Sequence, residues 1–103
     1  MLKRSLLATL LLAVATTAYA DTFQLLFKSG NDTYRVANAP IEVFDSKNQR
    51  RFGGYTDQDG SVLIALPNGN YRARVTYRGA PWCAAFSVDG AKPTKPVYIT
   101  KCQ

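Results

Sequence analysis

The chain has 103 residues, no histidine, two cysteines, and 13 Lys and Arg against 7 Asp and Glu, a formal net charge of +6. Without histidine, the common nucleophile–histidine triads and most zinc sites are excluded. The length allows one small hydrophobic core and no second domain of comparable size.

Residues 1–20 read as a secretory leader. Lys3 and Arg4 give a positive start, Leu6 through Ala15 a mostly apolar run, and Ala18-Tyr19-Ala20 the small residues of a peptidase site, with Asp21 as the new N-terminus. The apolar run is too short to span a bilayer comfortably, and no cysteine follows the cleavage site to carry a lipid. The expected product is a single domain of residues 21–103, periplasmic or secreted, with no membrane span. Loss of Lys3 and Arg4 takes the 13 basic residues to 11 against 7 acidic, a net charge of +4. That excess suits an anionic envelope surface, and it also keeps a small domain soluble.

Beyond Asp21 no segment shows ten residues of helical periodicity. Phe23, Leu25 and Phe27 alternate with polar residues as in a half-buried strand, and Ser29–Asp32 is a turn cluster. Tyr34–Val36 reads as a brief strand, Ile41, Val43 and Phe44 as another, and Ser46–Gln49 as a polar loop. Phe52–Thr56 is strand-like, with Gly53-Gly54 predicting a bulge. In "SVLIALPNGNYRARVTY", Asn68-Gly69 fits the centre of a type I′ hairpin turn. That register sets Leu66 against Tyr71, Ile64 against Ala73 and Val62 against Val75, all on one face.

Cys83 and Cys102 allow one intramolecular disulfide in an oxidising compartment, closing a loop of about 20 residues for roughly 3 kcal/mol. Placing them directly opposite each other pairs Phe86 with Ile99 and Val88 with Val97, with Asp89–Pro96 as the connecting loop. The expected architecture is an all-β antiparallel sandwich with one disulfide.

"APIEVFD" followed by "GGYTDQDGSVLIALPNGNYRARVTYRG" resembles the carboxypeptidase regulatory-like domains of the transthyretin-like (prealbumin-like) β-sandwich group. Thr56, Asp57 and Gly60 match that family's first turn. Leu66, Pro67, Gly69 and Tyr71 match its second. The resemblance spans about Ala39 to Gly79 and implies seven strands, transthyretin-like or Ig-like, with an accessory or binding role. These motifs are turn chemistry and carry little about function.

Few residues offer catalysis. Tyr77-Arg78-Gly79 imitates the start of the tail motif of transthyretin-like hydroxyisourate hydrolases, but it is internal and lacks their histidines, so no general base is present. Asp57 and Asp59 precede Gly60 as in a calcium loop, yet the twelfth position counted from Asp57 is Asn68 rather than glutamate. They read as turn residues that bond their own backbone. An adhesin-type isopeptide staple has Lys28 and Glu42 available, but Val97–Lys101 offers no asparagine or aspartate. Asn31-Asp32-Thr33 is a glycosylation acceptor only in a eukaryotic source. No enzyme activity, metal or cofactor is expected.

What remains are cations and one tryptophan. Arg72, Arg74 and Arg78 are expected to point one way from one strand, while Lys47, Arg50 and Arg51 cluster in a loop. Guanidinium forks suit phosphate, sulfate and carboxylate. Trp82, between Pro81 and Cys83, is a candidate for stacking on a sugar or a partner side chain. The candidate ligand-binding residues are therefore Arg72, Arg74, Arg78 and Trp82. The expected function is a non-enzymatic exported binding module for a protein or an anionic polysaccharide of the envelope, not for nucleic acid. Two alternatives are an accessory subunit of an envelope assembly that docks by sheet-edge pairing, and an inhibitor of a secreted enzyme that presents the 89–96 loop or the 67–70 turn.

Overall fold

The structure, a computed structural model, describes residues 19–90 and 94–102. The expected leader up to residue 18, and residues 91–93 of the expected 89–96 loop, lie outside the described residues. Nine strands are present among the described residues: β1 (Tyr19–Ser29), β2 (Asp32–Arg35), β3 (Pro40–Phe44), β4 (Arg50–Tyr55), β5 (Ser61–Leu66), β6 (Gly69–Tyr77), β7 (Ala80–Val88), β8 (Lys95–Tyr98) and β9 (Thr100–Lys101). None of the described residues is helical.

The strands form two sheets. In the first, β1 pairs antiparallel with β5 through its first half and with β2 through its last residues, and parallel with β8. The second runs β4-β3-β6-β7-β9, all antiparallel. Alternation along each strand turns Phe23, Leu25, Val62 and Ile64 of the first sheet towards Ile41, Val43, Val75 and Val88 of the second. The rings of Phe23 and Phe86 meet across the core at 4.7 Å.

The all-β sandwich and its single disulfide are as expected, but the strand count is nine rather than seven. The last expected strand divides at Ile99, whose N–H donates to the Leu26 carbonyl at 2.9 Å as the chain leaves the first sheet for the second. Two registers also differ. β5 and β6 are not a hairpin: β5 lies on β1 and β6 between β3 and β7. The Tyr71 hydroxyl donates to the Pro67 carbonyl at 2.7 Å, and residues 67–68 arch from one sheet to the other. Leu66, Ile64 and Val62 therefore share the core with Tyr71, Ala73 and Val75 without lying beside them in a ladder.

The type I′ signature falls instead at Arg78-Gly79, with φ of 54° and 74°. This turn joins β6 to β7, with Tyr77 opposite Ala80. Cys83 lies opposite Thr100 rather than Cys102, and Val97 belongs to β8, beside Leu25 of β1. Phe86 and Val88 consequently have no partners in the final segment. The expected bulge at Gly53-Gly54 is absent, since both glycines stay in register with Glu42 and Ile41. The irregularity lies between Val43 and Phe44, where Phe52 and Arg50 are the partners and Arg51 is the extra residue.

The motif residues of the two turns act within the fold. The Thr56 hydroxyl donates to the Val36 carbonyl at 2.6 Å and accepts from the Ala39 N–H at 2.9 Å. Asp57 accepts from the N–H groups of Asp59 and Ser61 at 2.8 and 2.9 Å. Asp59 pairs with Arg35 at 3.1 Å. Both aspartates are thus engaged in the turn, and no group of three or more His, Cys, Asp or Glu among the described residues is placed to hold a metal.

Candidate functional site

The inward alternation of Tyr71, Ala73 and Val75 leaves Arg72 and Arg74 on the outer face of the second sheet. Two residues apart on one strand, their Cα atoms stand about 6.8 Å from each other. Arg72 lies between Phe44 of β3 and Ala85 of β7, and Arg74 between Glu42 and Cys83. Because the β7 residues on this face are as small as Ala85 and Cys83, the surface is hollow beside the two arginines. The Cys83–Cys102 disulfide, with Cα atoms 4.9 Å apart, holds Thr100–Cys102 along the far side.

A groove of about 650 Å³ results. Phe44 and Asn48 form one wall, Thr100 and Cys102 the other, and Arg72, Arg74 and Lys101 all line it. Among the described residues no carboxylate does. A shallower hollow of about 380 Å³ shares Arg72 and Ala85 with it and continues past Asn70 and Ser87 towards Asp45.

Charge pairing around the groove decides which cations are free. Glu42 is opposite Arg74 in the ladder, but its carboxylate binds Arg50 at 3.1 Å. Asp45 binds Arg51 at 3.1 Å and accepts from the N–H groups of Lys47 and Gln49, each at 2.9 Å. The Gln49 N–H, followed by the contribution of Arg51, holds the Asp45 carboxyl below its ordinary value. The loop cluster expected from Lys47, Arg50 and Arg51 is therefore largely neutralised. Arg72 donates to the Asn48 side-chain oxygen, which fixes its direction without cancelling its charge. The Arg74 and Lys101 side chains have no hydrogen bond or ion pair among the described residues.

Arg78 is not part of this stripe. Strand alternation ends at Tyr77, and the left-handed turn swings Arg78 over the rings of Phe27, Tyr34 and Tyr77, 5.3, 5.0 and 5.1 Å from their centroids. Trp82 also lies away from the groove. It faces inward and is half-buried, its edge against Phe27 at 4.9 Å, and its indole N–H donates to the Tyr77 carbonyl at 3.1 Å. The four expected ligand residues thus divide into a groove pair, Arg72 and Arg74, and a pair in an aromatic cluster, Arg78 and Trp82. Lys28 and Glu42, considered for an isopeptide staple, belong to different sheets.

The sequence reading missed Asn48 and Lys101. Lys101 had a signal: it adjoins Cys102, and pairing Cys102 with Cys83 brings it to β7. Its nearness to Arg74 needed the β6–β7 register, which depends on the Arg78-Gly79 turn. The chain matches no protein-family model and no curated protein.

Proposed function

We propose that the chain is an exported, non-enzymatic binding module, periplasmic or secreted, that recognises an anionic envelope polymer or an acidic protein surface. The groove lined by Arg72, Arg74 and Lys101 is its contact. One observation carries this reading: three cations line a groove that has no carboxylate among the described residues, and the neighbouring acids are already paired with Arg50 and Arg51. In a small-residue trough the Arg72 guanidinium held by Asn48, the Arg74 guanidinium, unpaired among the described residues, and the Lys101 ammonium suit carboxylate, sulfate or phosphate groups repeated along a chain.

The test is titration of the protein with sulfated, uronate and phosphate oligomers at low salt and again at about 0.2 M salt, where surface charge is strongly screened. Arg74→Glu with Lys101→Glu is expected to weaken binding at least tenfold. Arg78→Glu and Arg51→Glu leave it within twofold. Equal binding by the groove variant, or no binding of any anion at low salt, overturns the proposal.

A second reading, docking by sheet-edge pairing, draws support from β4. No strand among the described residues pairs with its outer edge, and Tyr55 there is 73 % exposed. Its signature is salt-insensitive association lost on proline substitution in β4.

A further inference from the structure

Asp21 is the only charged side chain among the described residues that is wholly buried, at 1 % exposure. It sits on the inner face of β1, two residues before Phe23. Its Oδ2 accepts from the Asp89 N–H at 3.2 Å and from the Lys95 ammonium at 3.3 Å. Its Oδ1 is buried and has no hydrogen-bond partner among the described residues. Leaving a buried carboxylate oxygen without a donor is costly.

Lys95 cannot supply the missing donor. Its three N–H groups already serve three acceptors: Asp21 Oδ2, Asp89 Oδ1 and the Ser87 carbonyl. On the β5 side Asp21 lies opposite Ile64, which has no side-chain donor.

The sequence places a leader-peptidase bond immediately before this residue, after Ala18-Tyr19-Ala20. Hydrolysis of the Ala20–Asp21 amide consumes one water. The carboxylate stays with Ala20, and Asp21 receives an amine that is protonated at neutral pH. Where the precursor has one N–H, the processed chain has an ammonium with three donors. One is retained for the β5 ladder and two are new, on the residue whose carboxylate lacks a donor.

We propose that cleavage at Ala20–Asp21 completes this site: the new α-ammonium donates to Asp21 Oδ1, an ion pair that exists only in the processed chain and stabilises it over the precursor. The folded domain is then least stable while the leader is attached, which favours an unfolded, translocation-competent precursor and a folded product after export. This inference rests on the export part of the proposed function and is independent of the groove.

The test begins with the intact mass and N-terminal residue of the exported protein. The thermal midpoint of the chain starting at Asp21 is then compared with two others: the same chain acetylated on the α-amine, made by synthesis and oxidative folding, and a chain retaining Tyr19-Ala20. The free-amine chain is expected to melt about 5 °C or more above both. In Asp21→Asn chains the difference between free and acetylated amine disappears. The comparison of wild-type chains needs no substitution, so it stands even where Asp21→Asn does not fold. A processed N-terminus elsewhere overturns the inference and leaves the export reading standing, whereas a chain found only inside the cell with residues 1–20 retained overturns both. A start at Asp21 with free and acetylated chains melting together overturns the ion pair alone.

Discussion

At Thr56 a single hydroxyl joins the end of β4 to the connection between β2 and β3. It is 2 % exposed, and it serves both the Val36 carbonyl and the Ala39 N–H. Thr56→Val keeps the shape but leaves two buried backbone groups without partners, at a cost of about 2 kcal/mol or more. The thermal midpoint should fall by roughly 10 °C, whereas Thr56→Ser, which keeps the hydroxyl, stays much closer to the parent. Asp45 gives a matching prediction in pH. Its folded-state pKa is depressed, first by the Gln49 N–H, so its contribution is fully present above the ordinary value of 3.8 and is lost as pH falls through the lower folded value. Melting curves of wild type and Asp45→Asn should therefore differ by a constant amount at neutral pH and converge in acid. Convergence beginning above pH 5 contradicts the assignment.

Alternation along β5 and β6 identifies which side chains face the core, and all six named in the expected hairpin do. It carries no information on whether the facing strand lies beside its neighbour in one sheet or across the core in the other. Asn68-Gly69 resembles a hairpin turn in composition, yet the Tyr71–Pro67 hydrogen bond commits it to an arch. Arg78-Gly79 carries the actual left-handed turn, with a residue that propensity disfavours and that stacking on Phe27, Tyr34 and Tyr77 compensates. The groove pair was legible for the same reason as the core: a strand period puts Arg72 and Arg74 outside. The groove's far wall was legible only in part: the disulfide brings Cys102 and its neighbours to β7, but their nearness to Arg74 depends on the β6–β7 register set at the Arg78-Gly79 turn. Turn chemistry can be tested with two glycines. Gly60 (φ +78°) and Gly30 (φ +63°) have similar backbones, but a Cβ on Gly60 would lie 2.9 Å from the Leu25 carbonyl oxygen, while none is within 4 Å at Gly30. Gly30→Ala should cost about 1 kcal/mol and Gly60→Ala clearly more. Equal costs by denaturant unfolding contradict the close approach of β1 to this turn.

The whole molecule is chemically two-sided. The first sheet turns Leu63 and Tyr98, both exposed, to solvent, whereas the second turns out the basic groove. The Cys83–Cys102 bond joins these features to stability, because the segment it holds leaves β8 in the first sheet and ends as the groove wall in the second. Closing a loop with a sequence separation of 19 restricts the unfolded chain, for about 3 kcal/mol in the chain-entropy model. For a domain of this size that is a large share of the net stability. The same bond positions Lys101, since β9 pairs with β7 only at Trp82 and Cys83. Replacing both cysteines with alanine should therefore lower stability by about 3 kcal/mol. In protein that remains folded, it should also reduce anion affinity to about that of Lys101→Glu alone, with Arg72 and Arg74 still contributing. Unfolding curves and oligomer titrations on the same sample separate the two effects. A folded variant that binds anions with wild-type affinity would show that the wall formed by β9 takes no part in recognition, leaving Arg72 and Arg74 to act from an open face.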